Sequence, residues 1–165
     1  MKQIGILSDT HISTITDDFL HQCTTAFDQC ETVIHAGDLI DISILAAFRG
    51  KELHAVCGNS CNNLTKLALP KEKSIRIHGF LFGITHGSGS RQNIKDRVFD
   101  RFPTAECIIY GHTHVASLHK IGNTLLVNPG SFQGTGKFGC SGTYAILKID
   151  SQGIHPSIHT LPPCV

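Results

Sequence analysis

The chain has 165 residues, 41% of them hydrophobic and 16% charged, which is typical of a single globular domain over residues 1–165. The formal net charge is +1, and the 14 lysines and arginines form no run, which argues against a stable complex with nucleic acid or an anionic membrane. The seven cysteines are odd in number and irregularly spaced, so they predict reduced, mostly buried thiols rather than a disulfide framework.

The start of the chain, MKQIGILSD, becomes polar too soon for a secretory signal. No later stretch is apolar for long enough to cross a bilayer. These two features predict a cytoplasmic protein.

The first part of the chain alternates strands and helices. An apolar segment at 3–8 predicts a buried strand, and apolar residues recur at helical spacing from Asp17, with Thr16 or Asp17 as the N-cap. The next predicted elements are a strand at 32–38, a short helix within 41–50 and a strand at 52–59. This order is typical of a parallel sheet with helical crossovers, which places the chain in the α/β class.

The remainder is predicted to be mainly strands. They are expected at 74–78, 80–85, 105–110, 115–121, 123–128, 142–149 and near 154–161. A helix from Arg91 to Phe102 is expected to stop before Pro103. The glycine-rich stretch 130–142 is the one long loop, and long loops in compact domains are commonly functional.

Polar side chains stand where five of the apolar segments end. They are Asp9, His11, Asp38, Asn59, His86, His112 and His114. Because the carboxyl ends of parallel strands share one edge of a sheet, we expect these side chains to converge. Glycine precedes Asp38, Asn59 and His112, where it lets the backbone turn sharply or approach a ligand closely.

The chemistry of these seven side chains limits the metal. Carboxylates, imidazoles and an amide without a thiolate exclude an iron–sulfur cluster and disfavour Ca²⁺ and Mg²⁺, which prefer oxygen ligands. Mn²⁺, Fe²⁺, Co²⁺, Ni²⁺ and Zn²⁺ suit the set. Seven ligands are too many for one such ion but suit two ions about 4 Å apart that share a carboxylate.

The ordered motifs, together with the sequence NPGS at 128–131, resemble the calcineurin-like metallophosphoesterase superfamily, in particular its small single-domain phosphodiesterases of the YfcE type. The resemblance runs from residue 4 to about residue 131. It implies a four-layer αββα sandwich with two metal ions, Mn²⁺ being the expected species, at the carboxyl edge between the sheets. It assigns one ion to Asp9, His11, Asp38 and His114 and the other to Asp38, Asn59, His86 and His112, with Asp38 bridging and Asp38, Asn59 and His86 as catalytic residues.

The resemblance implies hydrolysis of a phosphodiester, or of a small nucleotide-type phosphate ester, by a hydroxide held between the metals. A phosphomonoesterase is one alternative. A second is a catalytically weak scaffold for protein interaction, similar to the retromer subunit Vps29, which shares this fold. The complete ligand set favours the enzyme, whereas Ser60 and Cys61 keep the scaffold open, since they follow Asn59 where relatives place an acid and neither is a good general acid near neutral pH.

Two cations are candidate contacts for a substrate phosphate. Arg91 lies close in sequence to His86, although an exposed arginine at a helix start is the competing interpretation. Gly134–Lys137 does not match a phosphate-binding loop, because Phe138 stands where serine or threonine is required. A flap that brings Lys137 to the phosphate is the milder hypothesis.

Two further features lie outside the predicted site. His35 sits within an apolar strand and is predicted to be a hydrogen-bonded core residue rather than a ligand. The apolar tail at 161–165 would suit the interface of a homo-oligomer.

Overall fold

The computed structural model describes residues 2–134 and 141–162. Two five-stranded sheets dominate this part of the chain. The first sheet contains β1 (Lys2–Leu7), β2 (Thr32–His35), β3 (Glu52–Ala55), β9 (Thr143–Asp150) and β10 (Gly153–Thr160), in the order β10-β9-β1-β2-β3. The second contains β4 (Glu72–Ile77), β5 (Phe80–Thr85), β6 (Cys107–Ile109), β7 (Ser117–Ile121) and β8 (Thr124–Asn128), in the order β4-β5-β6-β8-β7.

Each sheet combines three parallel strands with two strands that pair antiparallel to their neighbours. In the first sheet β1, β2 and β3 are parallel, as the sequence predicted, and β9 runs antiparallel to β1. In the second sheet β5, β6 and β8 are parallel, and β4 and β7 are antiparallel edge strands. The parallel strands in each sheet therefore end on one common edge.

Helices cover the outer faces of both sheets. Helix α1 (Asp17–Phe27), capped by the Thr16 hydroxyl, and a 3₁₀ helix (Ile42–Phe48) share a core cluster with the outer face of the first sheet. Helix α3 (Ile94–Arg101) packs on the second sheet. These layers confirm the predicted four-layer αββα sandwich. None of the helices in the described ranges has the length and hydropathy needed to span a membrane.

The core follows from the two-residue period of the strands. Ile6 and Ile34 point between the sheets and share a cluster with Phe82 and Ile109, whereas Leu7 faces the helical layer over the first sheet. Burial of these branched and aromatic side chains on both faces holds the four layers together. It also fixes which strand ends face each other at the common edge.

The structure differs from the sequence prediction in two helices. Helix α3 begins at Ile94, after Asn93 adopts a left-handed φ of 54°, so Arg91 lies in the preceding turn and not at a helix start. Helix α2 (Asn63–Ala68) was not predicted. Its Leu64 and Leu67 are 72% and 86% exposed, so it presents no buried apolar face from which a helical period could be recognised.

Candidate metal centre

The seven predicted ligands lie at the common edge of the two sheets. Asp9, Asp38 and Asn59 follow β1, β2 and β3, while His86 and His112 follow β5 and β6. Two groups of side chains place their donor atoms within 4.8 Å of one another. They are Asp9, His11 and His114, and Asp9, Asp38 and His86. Asp9 belongs to both groups, whereas the resemblance assigned the bridging role to Asp38.

Short contacts define the first group around Oδ1 of Asp9. Nε2 of His114 lies 3.0 Å from this oxygen, and Nε2 of His11 lies 3.7 Å from it. The two Nε2 atoms are themselves 3.3 Å apart. Two imidazoles and a buried carboxylate thus point at one small volume.

The second group contains two buried atoms that the protein leaves unsatisfied. His86 directs Nδ1 to the carbonyl oxygen of Ala36 at 2.8 Å, so the N–H is donated there. Its Nε2 lies 3.2 Å from Oδ2 of Asp38 and 3.8 Å from Oδ1 of Asp9. Within the described residues, neither Nε2 of His86 nor Oδ1 of Asp9 has a hydrogen-bond partner.

Such atoms fit the coordination of a cation. A buried polar atom without a partner costs about 1–3 kcal/mol. The lone pair of an imidazole aimed at carboxylate oxygens is repulsive unless a positive charge lies between them. A divalent ion bonded to nitrogen and oxygen at about 2.1 Å would satisfy both atoms. The donor set therefore fits a transition-metal ion.

Asn59 and His112 lie beside the second group but contact each other. Nδ1 of His112 is 3.1 Å from Oδ1 of Asn59, and its Nε2 is 2.9 Å from the carbonyl oxygen of Gly89. The rings of His86 and His112 meet edge to face with centroids 5.4 Å apart. The structure thus brings both residues to the site, and their role as ligands stays a prediction.

Strained backbone surrounds the site. Five of the seven predicted ligands have a left-handed φ: Asp9 (54°), His11 (50°), Asp38 (57°), His112 (70°) and His114 (61°). Non-glycine residues rarely adopt this conformation, which costs on the order of 1–3 kcal/mol each and is concentrated at functional sites. The fold maintains a conformation that turns these side chains toward the edge.

The glycines before the ligands are required by close packing. A Cβ atom at Gly58 would lie 2.1 Å from Oδ1 of Asp38. A Cβ atom at Gly111 would lie 2.0 Å from Oγ of Ser8 and 2.7 Å from Oδ2 of Asp9. The backbone at each of these strand ends thus lies directly against a carboxylate.

The local electrostatics keep the carboxylates ionised. Burial alone would raise the pKa of Asp9, but contact with His11 and the charge of His86 hold it below its ordinary value. Burial opposes ionisation of Asp38 as well, yet His86 and the donors of Ser60 lower its pKa. The pKa of His86 is raised, because its contacts with Asp38 and Asp9 outweigh burial. The site attracts positive charge, whether as a proton or as a metal ion.

Several supporting residues were not recognised in the sequence. The Ser60 N–H donates to Oδ1 of Asp38 at 2.8 Å, and its hydroxyl donates to Oδ2 at 3.0 Å. The Ser8 hydroxyl donates to Oδ2 of Asp9 at 2.6 Å. The only signal in the sequence is a serine next to a predicted ligand. Serine is also common in turns, so its position alone does not reveal a hydrogen bond to a ligand carboxylate.

His35 is the core residue that the sequence predicted. Its Nδ1 accepts the Gly37 N–H at 3.1 Å, and its Nε2 lies 3.1 Å from the Thr10 hydroxyl. Burial lowers the pKa of His35 to about 3, so the ring stays neutral. It connects the segments that carry Asp9 and Asp38.

A cavity of about 670 Å³ opens beside the second group. Its lining includes His86 and Asn59, and its wall carries Lys66, Lys71, Arg97 and Arg101. Of the two predicted substrate contacts, Arg91 lies close enough to His114 for its charge to contribute to the lowered pKa of that imidazole, in which burial is the larger cause. Lys137 lies outside the described residues.

Comparisons with known proteins agree with this geometry. The family model for the calcineurin-like phosphoesterase superfamily domain matches residues 1–152. A phosphodiesterase of Methanocaldococcus jannaschii is 30% identical over 149 residues, covering 78% of this chain and 82% of the relative.

Solved structures show the same fold. An archaeal phosphodiesterase superposes with a TM-score of 0.70 at 25% identity, covering 95% of this chain and 99% of that chain. A zinc complex of Vps29 from Entamoeba histolytica gives a TM-score of 0.71 at 20% identity, covering 96% of this chain and 98% of that chain.

Proposed function

The chain belongs to the calcineurin-like phosphoesterase superfamily, and on this premise we propose that it hydrolyses phosphodiester bonds in small nucleotide-type substrates with two divalent transition-metal ions. The observation that carries the proposal is the pair of buried, unpartnered atoms, Nε2 of His86 and Oδ1 of Asp9, 3.8 Å apart at the edge where both sheets deliver ligands. A structural role alone gives no reason to leave these atoms unsatisfied.

The chain would hold the two ions with Asp9, His11 and His114 and with Asp9, Asp38 and His86, and Asn59 and His112 would complete the set. We propose Mn²⁺ as the native ion, with Ni²⁺, Fe²⁺, Co²⁺ or Zn²⁺ as ions that the donors also accept. When bound, such ions supply an activated water and neutralise charge on the phosphoryl oxygens.

The residues of the chain explain how the site is held for this reaction. Ser60 fixes both oxygens of Asp38, and the main chain at Ala36 fixes the ring of His86. Arg91, whose charge reaches His114, is proposed to contact a phosphate oxygen. Lys137, which lies outside the described residues, is proposed as a second contact.

The two residues that follow Asn59 are poor proton donors for a leaving alcohol, which favours substrates whose alcohol leaves readily. The Ser60 hydroxyl is donated to Asp38, and Cys61 is buried with a raised pKa, mainly through burial. Neither is suited to give a proton near neutral pH. Solvent is therefore proposed to protonate the leaving group. The phosphodiesterase from Methanocaldococcus jannaschii, at 30% identity, supports the diester over the monoester.

A scaffold is the second candidate function. The fold shared with Vps29 supports it, as do the exposed leucines of α2, Leu64 at 72% and Leu67 at 86%. Because the Vps29 structure contains zinc, metal binding by itself does not separate a scaffold from an enzyme, and the relative named as a phosphodiesterase favours the enzyme. A phosphomonoesterase would use the same ligands and differ only in the pocket walls.

The test compares bis(p-nitrophenyl) phosphate with p-nitrophenyl phosphate. Chelator-treated protein should be inactive, and Mn²⁺ should restore hydrolysis of the diester with a higher kcat/KM than that of the monoester. Asp38→Asn and His86→Ala should each abolish the restored activity, because both remove a donor from the second group. His119→Ala, a change at an exposed histidine on β7, is the matched control.

The outcomes separate the candidate functions. A faster monoester reaction would favour the phosphomonoesterase. Folded, metal-loaded protein that hydrolyses neither ester would exclude the enzyme and leave the scaffold, since these activated esters need no general acid.

Three coarser features are proposed with the function. We propose that residues 1–165 act as one domain and that a homo-oligomer forms through the chain's carboxyl-terminal part. A cytoplasmic location is supported by Cys23, Cys30, Cys57, Cys61 and Cys107, which are all buried and form no disulfide.

A further inference from the structure

The cavity beside the metal centre carries more positive charge than the scissile phosphate explains. Four of its lining residues are cationic and one, Glu72, is anionic, although the formal net charge of the whole chain is only +1. At about 670 Å³ it falls within the usual size range of small-molecule sites, roughly 300–1,000 Å³. Such sites are ordinarily lined by apolar groups, so concentrated positive charge indicates an anionic occupant.

The cations keep donors available for a ligand. Lys71 has no hydrogen bond or ion pair in the part of the chain that the structure describes. Lys66 gives one of its three donors to the carbonyl oxygen of Asn59 at 2.9 Å. Arg101 gives one guanidinium nitrogen to Glu72 at 3.0 Å, which orients the group and leaves the others.

Within the described residues, Arg97 contributes charge without a neutralising carboxylate. It donates to the main-chain carbonyl oxygens of Ser88, Ser90 and Gln92, at 3.0 Å for Ser88 and 2.8 Å for Gln92. Carbonyl groups accept its hydrogen bonds but leave the full positive charge in place. Arg97 thus fixes the segment after His86 and keeps the cavity wall positive.

The cavity is continuous with the metal centre. His86 and Asn59 line it and are also predicted ligands, and Lys66 bonds to the main chain of Asn59. A phosphodiester bound at the metals would therefore extend one of its two substituents into the cavity. The position of the cations defines what this substituent should carry.

We propose that the substrate is a small phosphodiester that bears a second, terminal phosphate, and that Lys71 and Arg101 bind this phosphate in the cavity. The inference rests on the proposed function and specifies its substrate class. Lys66 and Arg97 supply additional charge and hold the neighbouring segments. The ammonium group of Lys71 and the guanidinium nitrogens of Arg101 that do not contact Glu72 suit a terminal phosphate, which carries more charge and more acceptor oxygens than a diester.

The first experiment measures binding rather than turnover. Isothermal titration calorimetry would compare thymidine 5′-phosphate with thymidine 3′,5′-bisphosphate on Mn²⁺-loaded protein. We expect the second phosphate to tighten binding by on the order of tenfold, the usual size of a charge-assisted hydrogen bond. Lys71→Gln and Arg101→Gln should each remove most of this advantage without changing the affinity for the monophosphate.

The control is Lys120→Gln, which removes an exposed lysine from β7, at the opposite edge of the second sheet from β4. It should leave the advantage intact. If Lys71→Gln, Arg101→Gln and Lys120→Gln all lose the tighter binding of the bisphosphate to the same extent, the effect is a general attraction to positive charge and the cavity is not the site. If the monophosphate plus free inorganic phosphate binds as tightly as the bisphosphate, the cavity takes a separate anion and the substrate assignment is wrong.

A kinetic arm separates this inference from the proposed function. The p-nitrophenyl ester of thymidine 5′-phosphate, with and without a 3′-phosphate, gives kcat/KM for both substrates. Hydrolysis of both at equal kcat/KM would retain the phosphodiesterase and overturn the cavity assignment. Tighter binding of a thymidine pentanucleotide than of the bisphosphate would likewise overturn it, in favour of a nucleic-acid strand.

Discussion

The two sheets bring different chemistry to their common edge. The first sheet supplies both carboxylates, Asp9 and Asp38, as well as Asn59 and His11, whereas the second supplies only imidazoles. Each of the two donor groups combines residues from both sheets. Neither sheet alone supplies a complete donor group, so the candidate site exists only when the sandwich is packed.

The ligands of the two sheets also differ in how many donor groups they belong to. Asp9 belongs to both groups, is fully buried and is contacted by donors from both sheets. The histidines of the second sheet belong to one group or lie beside it. Negative charge from the first sheet should therefore decide whether any ion binds, and the second sheet should decide how many.

Asp9→Asn should have the largest effect. The amide keeps the shape but removes a negative charge from both groups, so we expect loss of both ions and of more activity than the roughly 100-fold that outer-shell changes cost. Metal content by plasma mass spectrometry and kcat/KM for bis(p-nitrophenyl) phosphate check this. Asp18→Asn, at an exposed carboxylate on α1, is the control. Retention of one full ion would contradict the shared role of Asp9.

His114→Gln should reduce activity less than Asp9→Asn and should lose one bound ion rather than both. It removes one donor from the group formed with Asp9 and His11 and leaves the group containing Asp38 and His86 unchanged. We expect one ion in place of two and a loss of activity of about 10- to 100-fold, partly recovered at high Mn²⁺. The same metal analysis checks this. Two retained ions would remove His114 from the ligand set.

Gly111→Ala tests the contact between the sheets themselves. The added Cβ would overlap Oγ of Ser8 and crowd Oδ2 of Asp9, so we expect a loss of about 1–3 kcal/mol in the free energy of unfolding. Urea denaturation of metal-free protein measures it. Gly122→Asn, in open space at a φ of 57° that asparagine adopts, should change stability little. Equal effects would mean that the packing at the edge is loose.

Ser60→Ala should have the smallest effect. It removes the hydroxyl bond to Oδ2 of Asp38 but keeps the N–H bond to Oδ1, so we expect about 0.5–1.5 kcal/mol in metal affinity, or a loss of about 2- to 10-fold. Titration with Mn²⁺ gives the affinity. Ser60→Thr retains a hydroxyl and should restore it. An affinity that does not change in Ser60→Ala would show that the N–H alone orients Asp38.

Much of the fold could be read from the order of elements. The alternation up to residue 59 predicted the parallel strands β1, β2 and β3, and of the two predicted caps of α1, Thr16 and Asp17, the structure has Thr16. Helix α2 was missed because a short helix with exposed leucines and one buried residue, Thr65, has no apolar period. Strand β2 ends earlier than predicted because the chain leaves the ladder before the left-handed turn at Asp38, and β3 ends earlier as well, at Ala55.

The sequence by itself determined which polar side chains stand at the ends of the parallel strands, and parallel strands of one sheet share one edge. It also determined that the donor set suits a transition metal, since donor chemistry depends on residue type alone. Only the tertiary structure decided that Asp9 is common to both groups, that Asn59 and His112 contact each other, and that Ser60 holds Asp38.

The cavity is the clearest example of a feature that only the tertiary structure decided. Lys66 and Lys71 come from α2 and the turn before β4, whereas Arg97 and Arg101 come from α3, so no spacing in the sequence links them to His86. Their charges add up at one place only because the two segments pack on either side of the sheet edge. Distances between side chains far apart in sequence depend on packing, and residue order does not encode them directly.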